Sequence, residues 1–256
     1  MARKSLFSSG NPFLNEKALK KGSEEILDAN IDGPITYADK MTAQGAVNKT
    51  FMLFGILLVT TFIGFTNPHP VLIWGGAIAG LVVVLIAAFK PHLSPTLAPI
   101  YAVLEGLFVG GITATYAWAF GGGIIFQAVT LTFAVLFMML FLYKSGTIKV
   151  TQKLRSGVIM ATGAILLVYI INLVLSFFGM NVPYLHEGGM MGIGISLLII
   201  GVAAMNLLLD FDNFDKGEQY GAPAYMEWFC AMGLIITLVW LYIEILRLLS
   251  ILSGRD

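Results

Sequence analysis

The sequence predicts an all-α membrane protein, a bundle of seven transmembrane helices with its N-terminus in the cytoplasm. Three observations carry that reading. First, 57% of the 256 residues are apolar and only 12% are charged, with a mean hydropathy of +0.84. Soluble domains run near a quarter charged, so there is too little charge here to cover a water-facing surface. Second, the apolar residues gather in seven charge-poor stretches, at about 50–66, 71–89, 96–120, 123–143, 157–178, 190–210 and 226–249. At about 1.5 Å per residue each can cross about 30 Å of hydrocarbon, the first being the shortest. Third, the basic residues alternate between connections. Thirteen of the 15 lysines and arginines lie in the N-terminal segment (Arg3, Lys4, Lys17, Lys20, Lys21, Lys40, Lys49), at Lys90, at Lys144, Lys149, Lys153 and Arg155, and at Lys216. The intervening connections 67–70, 121–122 and 179–189 hold none. Cytoplasmic loops carry the excess of Lys and Arg, which places the N-terminus inside and the tail after Arg247 outside.

The individual elements follow from local signals. Continuous apolar runs such as 81–89 and 193–204 lack the alternation of a barrel strand, so the spans are helices. Asn67-Pro68-His69-Pro70, Pro91 with Pro95, and Gly121-Gly122-Gly123 break the chain between spans. Ser94-Pro95 reads as a cap and first turn for the third helix. The glycine triplet forces helices 3 and 4 into a tight hairpin. Residues 1–49 are polar and mixed in charge. They form an N-terminal cytoplasmic segment expected to be largely disordered, with 41–49 a helical lead-in to the first span. A removable signal peptide is not expected, for want of an apolar h-region and cleavage site. Residues 50–256 make one membrane domain.

Composition and motifs exclude several function classes. Basic and acidic residues balance at 15 each, and no basic patch is interleaved with aromatics, so no nucleic-acid partner is expected. Lipid is the partner that the composition requires. The single cysteine, Cys230, permits no intrachain disulfide. His69, His92 and His186 sit in three different connections and form no metal set. Gly189-Met-Met-Gly-Ile-Gly194 follows no strand, so it is no dinucleotide fingerprint. No HExxH, GxSxG, P-loop or Gly-x-Gly-Asp motif occurs, and no enzyme activity or cofactor is expected. Gly76-x-x-x-Gly80 and Gly106-x-x-x-Gly110 permit close helix contact, within the bundle in preference to between copies. Trp74, Trp118 and Trp228 fall near interfaces and read as belt anchors.

The informative residues are the acids inside the spans, each costing about 2.5–3.5 kcal/mol on insertion scales. Glu105 lies about 15 Å into helix 3, near the midplane, with no basic residue within four positions. It must be protonated, face water, or meet a partner from another helix. Asp210 ends helix 6, with Asn206 one turn earlier on the same face. Asp212, Asp215 and Glu218 follow as an acidic loop around Lys216. A hairpin turning near residue 218 brings Asp210 level with Glu227, and the two would form an acidic cytoplasmic mouth. Glu244 lies toward the outer end of helix 7, with Arg247 at i+3 positioned to pair with it or to snorkel outward. The carboxylates thus read as three stations: Asp210 with Glu227 inside, Glu105 in the middle, Glu244 outside.

Three stretches also resemble a known family. They are Pro99-Ile-Tyr-Ala-Val-Leu-Glu-Gly-Leu-Phe-Val-Gly110, Asn206-Leu-Leu-Leu-Asp-Phe-Asp212, and Glu227-Trp-Phe with Leu241-Tyr-Ile-Glu-Ile-Leu-Arg-Leu-Leu249. Together they resemble a bacterial branch of the Bax inhibitor-1 family, the transmembrane BAX-inhibitor-motif proteins, over roughly residues 40–256. The resemblance implies a seven-helix fold with a central last helix. It also implies a pH-sensitive, calcium-leak type of cation permeability, sensed by aspartates on helices 6 and 7. Asp210 matches the helix-6 aspartate. Glu244 matches the helix-7 aspartate through its local tetrad, whereas counting from the C-terminal end lands near Thr237 or Trp240. The arginine that some members carry on helix 2 is absent from 72–89.

The expected function is a pH-sensitive cation leak, calcium by family resemblance, in a bacterial inner membrane. Carboxylate oxygens suit hard cations, so Asp210 and Glu105 are the expected transient Ca²⁺ contacts. Two other readings stay open: a proton-coupled cation transporter using the same acids, and a non-transporting regulator that binds a membrane protease or other membrane protein.

Overall fold

The computed structural model describes residues 40–176, 178, 179 and 189–254. Residues 1–39, with Arg3, Lys4, Lys17, Lys20 and Lys21, lie outside the described residues, as does His186. Seven helices are long and apolar enough to cross a membrane. They are α1 (Ala43–Thr66), α2 (Pro70–Phe89), α3 (Ser94–Phe120), α4 (Gly123–Lys144), α5 (Gln152–Ser176), α6 (Met190–Gln219) and α7 (Tyr225–Leu252). Among the described residues the only β pairing is an isolated bridge between Lys40 and Pro223. The chain is therefore a multi-pass, all-helical membrane protein. Helix α7 is the most enclosed, with 72% of its most apolar stretch buried against 6% in α5.

Helix α1 takes in the expected lead-in, beginning at Ala43 because Thr42 caps it by accepting from the Gly45 amide. Three boundaries differ from the hydropathy reading, each for a local reason. Ser94 is not a cap: a 3-10 turn at Pro91–Leu93 leads into α3, and Ser94 already has helical backbone angles. Helix α5 takes in Lys153 and Arg155, which hydropathy assigned to a loop. Helix α6 continues to Gln219, so Asp212, Asp215 and Glu218 are helical and not a loop. Hydropathy finds where lipid ends, whereas a helix ends at a breaker. Here that breaker is Gly221, at φ +62°. The Gly221 amide donates to the Glu218 carbonyl and the Ala222 amide to the Gly217 carbonyl, a Schellman termination.

By internal contacts the chain divides into two compact units. One comprises the described residues within 1–114 and 209–236, the other those within 115–208 and 237–256. In the first, α3 packs on α1 and α2 through glycines. A Cβ at Gly106 would lie 2.7 Å from the Leu57 carbonyl oxygen, and one at Gly110 would lie 2.7 Å from the Phe65 amide nitrogen. On α2, a Cβ at Gly76 would lie 2.6 Å from the Leu104 carbonyl oxygen. Lipid tails are as apolar as leucine, so helices associate in a membrane by such close van der Waals contact. Thr60 adds a hydroxyl hydrogen bond across the seam to the Ala102 carbonyl at 3.3 Å. Both glycine pairs thus serve packing within the chain. In the second unit two residues, Gly121 and Gly122, join the end of α3 at Phe120 to the start of α4 at Gly123, with Gly121 at φ +87°.

Candidate functional site

The acidic end of α6 lies in the first unit. Asp210 is 2% exposed, on a turn shared with buried Leu207, Leu208 and Leu209. The thiol of Cys230 on α7 lies within electrostatic range of both Asp210 and Glu227. Two residues on from Asp210, Asp212 pairs with Lys216 at 3.0 Å along the helix. Asn206 points its amide into the second unit's own packing, donating to the Thr162 hydroxyl at 2.7 Å and the Val202 carbonyl at 2.9 Å.

Glu227 does not stand free at a mouth. Its Oε1 accepts from the Thr42 amide at 3.0 Å and the Thr42 hydroxyl at 3.1 Å. In a capping box the N3 residue is a glutamate that reaches back to the N-cap amide. Here N3 is Gly45, and a Cβ on it would collide with the Glu227 carboxylate. Helix α7 therefore completes the cap of α1 in place of the missing local side chain. The Met41 amide donates to the Ala222 carbonyl at 2.6 Å, and Lys49 sits 4.8 Å over the Trp228 ring, so the same seam is tied three times. Glu227→Ala is expected to cost roughly 1.5–3 kcal/mol, as for hydrogen bonds to a charged group. Gly45→Glu should destabilise the wild type but rescue Glu227→Ala by restoring a local box. Unfolding of the four proteins in detergent checks this, and a Gly45→Glu effect of the same sign in both backgrounds would contradict it.

Glu105 meets its partner on its own helix. The Tyr101 hydroxyl, one turn earlier, donates to the Glu105 carboxylate. Across from it, a Cβ on Gly80 of α2 would lie 3.3 Å from Glu105 Oε2 and 3.8 Å from the Tyr101 ring. The glycine leaves room for the pair. The i,i+4 spacing that sets it was available in the sequence.

The second unit holds a polar cluster built on α7. Glu244 is 3% exposed and pairs with Arg247 at 3.6 Å. The Tyr169 hydroxyl of α5 donates to Glu244, and Arg247 donates to the Tyr169 oxygen at 3.1 Å and to the Ser196 hydroxyl of α6 at 3.2 Å. Tyr116 of α3 joins them through a hydrogen bond with Ser250. Arg247 thus turns inward instead of snorkelling outward, its side chain 12% exposed. Tyr169 and Ser196 carry no signal in the sequence, since only tertiary packing aims them at Glu244.

Among the described residues no three His, Cys, Asp or Glu side chains converge as a metal cage. Glu227, Glu105 and Glu244 stand as single carboxylates, held respectively by Thr42, by Tyr101, and by Tyr169 with Arg247. None of the curated proteins compared with the chain matches it. The sequence profile of the Bax inhibitor 1 like family matches residues 9–254. Seven membrane-length helices, an enclosed last helix and a match over nearly the whole sequence agree: the chain belongs to the Bax inhibitor 1-like family.

Proposed function

We propose that this protein is a non-enzymatic, pH-sensitive cation leak, with calcium as the permeant ion, in a bacterial inner membrane. The observation that carries the reading is the burial of Asp210 and Glu244 inside membrane-length helices. Each such acid costs about 2.5–3.5 kcal/mol to insert, which makes it a functional candidate by default. Single carboxylates also suit conduction. They replace part of a cation's hydration without the closed cage that would trap it. Protons and cations compete for the same oxygens, so permeation rises with pH. The orientation is N-terminus cytoplasmic, from the alternation of basic residues. A reporter fused after Asp256 should read on the opposite face, and a cytoplasmic signal would contradict seven full crossings.

Glu105 supplies the direct test of the pathway. Glu105→Gln keeps the shape of the side chain and a group able to meet Tyr101, but removes the charge. Calcium flux into liposomes containing the purified protein is expected to fall severalfold with unfolding unchanged. Unchanged flux would return Glu105 to a packing role. Saturable flux driven by an opposing proton gradient would mark a transporter, and no flux at any pH would favour the regulator reading.

A further inference from the structure

Between α5 and α6, within the second unit, runs a groove of about 420 Å³. Gly157 and Ala161 line it from α5, Leu198, Gly201 and Met205 from α6, and Lys153 stands at one end. The volume falls in the range of small-molecule sites. The walls are apolar and face outward: Gly157, Gly201 and Leu198 are all exposed. These glycines differ from Gly106 and Gly110, whose missing side chains make room for α1. A Cβ at Gly157 or Gly201 would meet no atom within 4 Å, so none of the described residues claims the space.

Charge says what fits there. Lys153 is exposed at the head of α5, and Lys149 precedes it, also exposed, on the α4–α5 connection. No Asp or Glu occurs between Glu105 and Glu187, so this stretch of chain carries no acid of its own to neutralise them. From Lys153 to Ala161 the groove descends about 12 Å at about 1.5 Å per residue, from interface into hydrocarbon. A basic head over an apolar trough matches a phosphate joined to an acyl chain. We propose that the α5–α6 groove binds one anionic phospholipid, its acyl chain along Gly157 and Gly201 and its phosphate at Lys153. A zwitterionic lipid offers the same chain but no net charge for Lys153 and Lys149.

The test is native mass spectrometry of the detergent-solubilised full chain, titrated with phosphatidylglycerol or phosphatidylcholine of identical acyl chains. The wild type is expected to retain one phosphatidylglycerol in preference to phosphatidylcholine. Lys153→Gln should weaken phosphatidylglycerol binding about fivefold, the usual worth of one cation near an anionic headgroup, and leave phosphatidylcholine unchanged. Gly201→Leu fills the trough without meeting the fold, and should reduce retention of phosphatidylglycerol. Equal retention of the two lipids, or no effect of Lys153→Gln, would overturn the proposal. So would a dimer that Gly201→Leu dissolves, because the groove would then seat a second copy.

Discussion

Arg247→Ala is expected to destabilise the protein by roughly 3–5 kcal/mol, the cost of breaking a buried ion pair from one side. Arg247 links three partners, Glu244 on its own helix, Tyr169 on α5 and Ser196 on α6. Its loss leaves the Glu244 carboxylate, 3% exposed, with the Tyr169 hydroxyl but no positive charge. The asymmetry of buried pairs supplies a control. Glu244→Gln with Arg247→Met removes both charges while keeping much of the volume, and should restore most of the loss. Unfolding in detergent measures both. A single Arg247→Ala mutant as stable as wild type would show that the pair is worth no more than an exposed one.

Asp210→Asn carries the largest functional effect. Asparagine has nearly the shape of aspartate, so buried Leu207, Leu208 and Leu209 around it need not move. What changes is the charge and its titration. A carboxyl loses its charge when it takes up a proton, whereas an amide is neutral throughout. The protonated acid attracts no cation, so wild-type flux should be low on the acid side of neutral and rise as the proton leaves. Asparagine mimics the protonated form at every pH. The mutant's flux should therefore stay low and flat, and a wild-type pH profile in Asp210→Asn would remove Asp210 as the sensor.

The fold was legible because lipid imposes a coarse and strong code. Seven charge-poor stretches could only be helices, and all seven appear. Their ends were less legible, because hydropathy is blind to a helix that leaves the membrane. The run after Asp210 looked like a loop for that reason, although nothing breaks it before Gly221. At the site, pairs within one helix were readable by spacing. Glu244 with Arg247 was read that way, and Tyr101 with Glu105 was open to the same rule. Contacts between helices were not readable. Nothing near Thr42 in sequence announces that its cap is completed by Glu227, 185 residues away. The glycine at position 45 was the only trace, a small residue where a capping box would place an acid.

The most direct measurement is calcium entry into liposomes carrying the purified wild-type chain, followed on both sides of neutral pH against protein-free liposomes. A carboxylate-gated leak requires entry above the protein-free rate, increasing as pH rises through neutral. Entry no faster than in protein-free liposomes at every pH would contradict it.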